Sequence, residues 1–208
     1  VFGVCFSGEV EAVGANVTKF KVGDKVFGET LFNQGTHAEY VCVGEDELIA
    51  IKPENITHAE AAPICDGHVT SMNFLTKVTE LKAGQRVLII GASGSLGTAA
   101  VQIARSIGSQ VTAVCSANNG ELVKRLGAQN VVDYTKTDFT KGSLKYDVIY
   151  DTVGKSSFSK CNNYRSSSDR ARSVSYISRT KHSSINLNCH ISSHIIHNSS
   201  FSLWSILC

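Results

Sequence analysis

The stretch VLIIGASGSLGTAAVQIARSIGSQVTAVCS, residues 87–116, constrains this chain more than any other. Val87–Ile90 is a short continuous apolar run, the pattern of a parallel strand covered on both faces. A turn with Gly91, Gly94 and Gly97 follows, in which Ala92 takes the first slot of an A-x-G-x-x-G fingerprint. Gly94 lets a backbone approach a pyrophosphate closely, and Gly97 lets a helix pack tightly on its strand. The amides of Ser93, Ser95 and Leu96, with that of Gly94, then point at the phosphates from the positive end of the helix. Leu96, Ala99, Ala100, Ile103, Ala104 and Ile107 recur at helical spacing, and Gly108 is placed to end the helix.

Glycines punctuate many turns, so a strand-to-helix turn without a ligand is the alternative reading. The flanking strand, helix and second strand favour the phosphate cradle. The alternation continues beyond it. Gln110–Cys115 forms the second strand, Asn118 with Glu121 makes a capping box, and a helix over 121–126 ends at Gly127. Val131–Val132 begins a third strand, and Tyr146–Tyr150 a fourth. Strands alternating with helices predict an α/β fold with a doubly wound parallel sheet of Rossmann type.

The end of the second strand bears on the choice of dinucleotide. An acidic residue there accepts hydrogen bonds from the ribose 2′-hydroxyl of NAD. Here the text is Val-Cys-Ser-Ala-Asn-Asn, residues 114–119, with no carboxylate. Ser116, Asn119 and Tyr134 are candidate donors to a 2′-phosphate, with Lys124 or Arg125 adding charge, so NADP(H) is expected over NAD(H).

Residues 1–56 read differently. Val10, Val13, Val17, Val26, Phe27, Ala38, Tyr40, Val41, Val43, Leu48, Ile49 and Ile51 lie in short β-favouring runs between glycines. Such spacing predicts a small antiparallel barrel or sandwich. Pro53 closes it, and helical patterning takes over from about Thr57 to Leu75. The expected domains are therefore 1–56, then 57–161 as linker helix and dinucleotide-binding domain, then 162–208.

The ordered motifs SGEVEAVG (7–14), FKVGDKVFG (20–28), GTHAEYV (35–41), AAP (61–63), TS (70–71), GQRVLIIGASG (84–94), LGA (126–128) and YDVIYDTVG (146–154) resemble the medium-chain dehydrogenase/reductase superfamily. They are most similar to its zinc-independent quinone oxidoreductase branch. The resemblance implies a partial GroES-like β domain before the Rossmann domain, and hydride transfer from a nicotinamide cofactor to a small-molecule substrate, a quinone or α,β-unsaturated carbonyl. An alcohol dehydrogenase-like activity is the alternative, and a truncated, inactive cofactor-binding fragment is another. Intact relatives are expected to be homodimers. By the same resemblance, Thr70, Val153 and Gly154 match positions that flank the nicotinamide.

Zinc members carry Gly-His-Glu where this chain has Gly3, Val4 and Cys5, and Val4 cannot ligate a metal. Cys65 lies near another ligand position and is expected to be a buried or semi-buried thiol. No group of four closely spaced cysteines stands where a structural zinc is held. No zinc is expected, and His37 reads as a surface residue. No general acid is visible.

Seven cysteines, widely spaced, suit free thiols in a reducing compartment, taken here as the cytoplasm. No apolar run is long enough to span a membrane. Composition changes at residue 154. Residues 1–154 carry a net charge of −4 and all 17 glycines, whereas residues 155–208 carry +6, 17 serines and no glycine. Average usage predicts about four glycines in that length. The motif KSSFSKC (155–161) still resembles the family, and the resemblance then stops. A shifted reading frame or retained intron from near Asn162 is the expected cause. A solvated Ser-rich tail, a basic nucleic-acid-binding tail and a metal-binding Cys189–His197 cluster are the alternatives, and no nucleic-acid partner is expected. The start at Val1, inside a family motif, is read as a missing amino-terminal portion.

Overall fold

In the computed structural model, the described residues are 2–30, 34–139 and 144–154, with the backbone strand Arg172–Ser175. The motif at 155–161, the Cys189–His197 cluster and all of 162–208 except that strand lie outside them. Two compact units divide the chain, Val1–Val69 and Thr70–Cys208. That boundary falls thirteen residues after the composition-based one at 56/57.

In the first unit, β1 (Cys5–Glu9), β2 (Lys25–Glu29) and β3 (Leu48–Ile51) form an antiparallel sheet in chain order. The register sets Ser7 opposite Phe27 and Val26 opposite Ile51. Gly28 is closely enclosed in the sheet: a Cβ there would lie 2.2 Å from the Leu48 carbonyl oxygen and 2.8 Å from the Phe6 ring. The expected run through Ala38, Tyr40, Val41 and Val43 is not a strand. Tyr40 is 72% exposed, and no described strand pairs with this segment, so its β propensity has no ladder to join.

The predicted helix over 57–75 is broken into pieces. Thr57 caps α1 (His58–Ala61) in a complete capping box with Glu60. Pro63, which lacks an amide hydrogen, precedes α2 (Ile64–Met72), and a π-helical turn (Asn73–Val78) continues it. Helix α1 groups with the first unit because it packs on β1, where the Ser7 hydroxyl meets His58 Nδ1 at 2.8 Å.

In the second unit, β4 (Arg86–Ile90), β5 (Gln110–Cys115), β6 (Asn130–Asp133), β7 (Val148–Asp151) and β8 (Arg172–Ser175) form one parallel sheet, ordered β6-β5-β4-β7-β8. The order reverses between β4 and β7, and open α/β sheets bind ligands at the carboxyl ends beside such a reversal. Helix α3 (Ser95–Ile107) packs on β4 and β5, and Gly108 ends it at φ +86°. Val87, Ile89, Val111, Ala99, Ala100, Val101 and Ala104 are wholly buried in the main core. The other sheet face is covered through Leu88, Ile90, Val114 and Ile149. Apolar residues on both faces explain why these strands read as unbroken runs.

Helix α4 (Gly120–Leu126) starts differently from the expected Asn118–Glu121 box. A 3₁₀ turn (Ala117–Asn119) intervenes and makes Asn119 the cap residue, with its side chain employed elsewhere.

Candidate functional site

The Gly-rich turn is pinned to the sheet before it reaches the helix. The amides of Gly91 and Ala92 both donate to the Val114 carbonyl at 3.0 Å, and the Gly94 amide donates to Gly91 O at 3.0 Å. Gly97 is enclosed by backbone: an added Cβ would lie 2.2 Å from Gly91 O and 2.6 Å from Ala92 Cα. Gly94 differs, because a Cβ there meets just Gly91 O, at 3.5 Å. One glycine serves packing, and the other leaves a face that no described residue fills.

Gly94 is the N-cap of α3, in extended conformation, and no side chain caps that end. The Thr98 amide makes the first intrahelical bond, to Gly94 O, so the amides of Ser95, Leu96 and Gly97 precede the hydrogen-bond ladder. A thirteen-residue helix presenting uncapped amides behind an open glycine fits a pyrophosphate.

Polar side chains join the neighbouring strand end to this turn. Asn119 Nδ2 donates to Ser93 Oγ and to Ser116 Oγ, each at 3.2 Å. Three of the predicted residues thus form one hydrogen-bonded group across the ends of β4 and β5. Tyr134, just past β6, is 58% exposed, and its amide donates to Cys115 O at 3.2 Å. Lys124 and Arg125 lie instead in the last turn of α4, at the helix end opposite Asn119, and Lys124 pairs with Glu121 at 3.0 Å. Lys124 is thus occupied by a neighbour one helical turn away.

On the other side of the turn, Val153 packs against Gly91, whose φ is +77°. A Cβ on Gly91 would lie 2.3 Å from Val153 Cγ2 and 2.6 Å from Thr152 Oγ1. The wholly buried Asp151 holds this segment, its Oδ1 accepting the Val153 and Gly154 amides at 2.9 Å. Thr152 Oγ1 donates to Ile90 O at 2.8 Å. Thr70 is buried on α2, and the next residue, Ser71, donates its hydroxyl to Leu96 O at 2.9 Å. Sequence reasoning missed Ser71, Asp151 and Thr152 as supports. For Asp151 a signal existed, since an Asp followed by Thr-Val-Gly is an Asx-turn pattern.

The first unit carries a separate acidic and thiol cluster. Burial pushes the Glu29 carboxyl above its ordinary range, and Asp66 adds to the shift. The Cys65 thiol is pushed up to about 12, chiefly by burial, with Cys5, Glu29 and Asp66 contributing. Cys65 is therefore buried and protonated at neutral pH. Cys42 is exposed. Brief iodoacetamide treatment of the folded protein at pH 8 should alkylate Cys42 and leave Cys65 unmodified until denaturant is added. Peptide mass mapping reads the result. Labelling of native Cys65 at the Cys42 rate would contradict the placement. Among the described residues, no three His, Cys, Asp or Glu side chains group so as to hold a metal ion.

The parallel sheet with its glycine turn defines the nucleotide-binding class of α/β proteins, here following a small antiparallel β unit. Residues 1–53 match the family of the alcohol dehydrogenase GroES-like domain, and residues 95–200 match that of the zinc-binding dehydrogenases. The latter match runs beyond residue 161, where the motif resemblance stopped, and β8 falls within it. The chain belongs to the medium-chain dehydrogenase/reductase superfamily, in its quinone oxidoreductase-like branch.

It is 40% identical over 159 residues to the human mitochondrial NAD(P)H oxidoreductase RTN4IP1, covering 72% of this chain and 40% of that protein. It is 35% identical over 157 residues to the chloroplastic NADPH-dependent alkenal/one oxidoreductase of Arabidopsis thaliana, covering 71% of this chain and 40% of that one. Among solved structures, the quinone oxidoreductase from Coxiella burnetii matches with a TM-score of 0.68 and 35% identity, over 74% of this chain and 49% of the other. The chain thus spans about 40% of the length of these curated relatives.

Proposed function

We propose that this chain is part of an NADPH-dependent, zinc-independent oxidoreductase whose substrate is a quinone or an α,β-unsaturated carbonyl. The observation that carries the reading is the uncapped start of α3 behind Gly94 and Gly97. The names of the relatives support a nicotinamide cofactor and an electron-poor acceptor. Within this reading, the amides of Ser95, Leu96 and Gly97 bind the pyrophosphate, with Ala92 and Ser93 shaping the turn. Ser116, Asn119 and Tyr134 receive the adenosine ribose, and the absence of a carboxylate at the end of β5 favours the 2′-phosphate. Thr70, Val153 and Gly154 border the nicotinamide, which when bound supplies the hydride. Val4 removes a ligand from the position used by zinc members, which supports a metal-free reaction.

The alternative, an alcohol dehydrogenase-like activity, draws on the zinc-binding dehydrogenase match. We place the protein in the cytoplasm on the strength of its seven widely spaced cysteines, while the human relative carries "mitochondrial" in its name. None of the described helices is long and apolar enough to cross a membrane.

Titration of the purified chain, following reduced-nicotinamide fluorescence, should show saturable binding with NADPH tighter than NADH. Addition of a quinone or an enone should then oxidise the bound cofactor. Absence of saturable binding by the soluble protein overturns the reading. Zinc near one atom per chain overturns its metal-free part.

A further inference from the structure

β5 ends without a carboxylate, but the strand beside it ends on one. Asp133 is the last residue of β6, and the parallel register sets it opposite Cys115, the residue before Ser116. Its Oδ1 accepts the Thr135 amide at 3.0 Å and the Thr135 hydroxyl at 2.7 Å. Its Oδ2 is shielded from solvent. These Thr135 bonds, with smaller contributions from Lys136 and the Ala117 amide, hold the carboxyl below its ordinary range. A fixed negative charge therefore stands beside the backbone that carries Ser116 and leads to Asn119. Buried Oδ2 and committed Oδ1 leave it poorly placed to bond a ribose hydroxyl, so its influence is through its field.

We propose that Asp133 is a specificity-determining residue that limits preference for the 2′-phosphate and keeps NADH usable beside NADPH. This rests on the reading that Ser116 and Asn119 receive the adenosine ribose. A 2′-phosphate brings up to two negative charges towards Asp133, whereas a 2′-hydroxyl brings none. The charge thus acts on one cofactor and spares the other.

Asp133→Asn removes the charge and keeps an oxygen that Thr135 can bond. Equilibrium titrations with 2′,5′-ADP and 5′-AMP isolate the adenosine half of the cofactor. The variant should bind 2′,5′-ADP about three- to tenfold more tightly at low salt, with 5′-AMP affinity unchanged. The gain should shrink in high salt, where the field is screened. Asp133→Glu, which restores the charge, should return the ratio towards wild type. Asp133→Ser covers the case in which the amide variant does not fold. An unchanged ratio in both neutral variants, or an equal change for the two ligands, overturns the proposal. If the wild-type chain binds neither nucleotide, the cofactor reading beneath it fails instead.

Discussion

Gly97→Ala should destabilise the nucleotide-binding unit by about 2–4 kcal/mol and abolish NADPH binding. The added methyl would meet Gly91 O, Ala92 Cα and the Ala92 carbonyl carbon at 2.2–2.7 Å. All three are backbone atoms, so no rotamer change relieves the contact, and α3 must move off β4. Gly94→Ala is the informative partner. Its φ of −79° and ψ of 176° suit alanine, and its one close neighbour lies at 3.5 Å. Stability should fall by less than about 1 kcal/mol, while NADPH affinity drops at least tenfold as the methyl enters the face proposed for phosphate. Urea denaturation and cofactor titration on both variants separate fold from ligand. Wild-type stability in Gly97→Ala would contradict the packing described. Wild-type affinity in Gly94→Ala would remove the case for a phosphate cradle.

Tyr150→Ala should cost about 3–5 kcal/mol, the range for deleting a buried aromatic side chain. Tyr150 is wholly buried, its ring centroid 5.7 Å from that of Phe74. Its hydroxyl lies 3.4 Å from Ser71 Oγ, the group that bonds the first turn of α3. Since domains of this kind hold about 5–15 kcal/mol in total, the alanine variant should be largely unfolded well below the wild-type transition. Tyr150→Phe keeps the ring and loses a long hydroxyl contact, so its loss should stay near 1 kcal/mol. Thermal denaturation by circular dichroism distinguishes them. Equal losses would mean that the hydroxyl, rather than the ring, holds this region.

The second unit was legible because its signals are local. Val87–Ile90, the glycine turn and the helical repeat from Leu96 to Ile107 each state one backbone conformation, and together they state one fold. Helix α3 and the end at Gly108 appear where periodicity put them. Beginnings that depend on tertiary partners were less readable. Asn118 and Glu121 have capping-box spacing, but Asn119, whose side chain is drawn to Ser93 and Ser116, takes the cap position one residue on, and the helix begins at Gly120. A 3.6-residue period likewise does not reveal the π-helical turn at 73–78, where the Thr79 amide reaches back five residues to Phe74 O.

In the first unit, apolar runs predicted more strand than the described residues contain. Sheet membership needs a neighbour to complete the ladder, and residues such as Val41 carry propensity without specifying a neighbour. The candidate site divides in the same way. Its glycines and hydroxyl groups were visible as motif positions. The side chains that hold them, Ser71, Asp151 and Thr152, act across 2 to 62 residues of separation. Asp133 also qualifies the sequence argument about charge, because a carboxylate absent from one strand end stands on the next.

The segment after β7 is fastened from beneath while its outer face is left open. Asp151 grips the amides of Val153 and Gly154 from a wholly buried position, yet Val153 itself is 48% exposed. Anchor and display surface are thus assigned to different residues. Side-chain chemistry at position 153 can therefore change without loosening the tether. Change at 151 would release the whole turn. Variation among proteins of this branch should accordingly concentrate at the exposed position, making residue 153 a sensible first site for a saturation library.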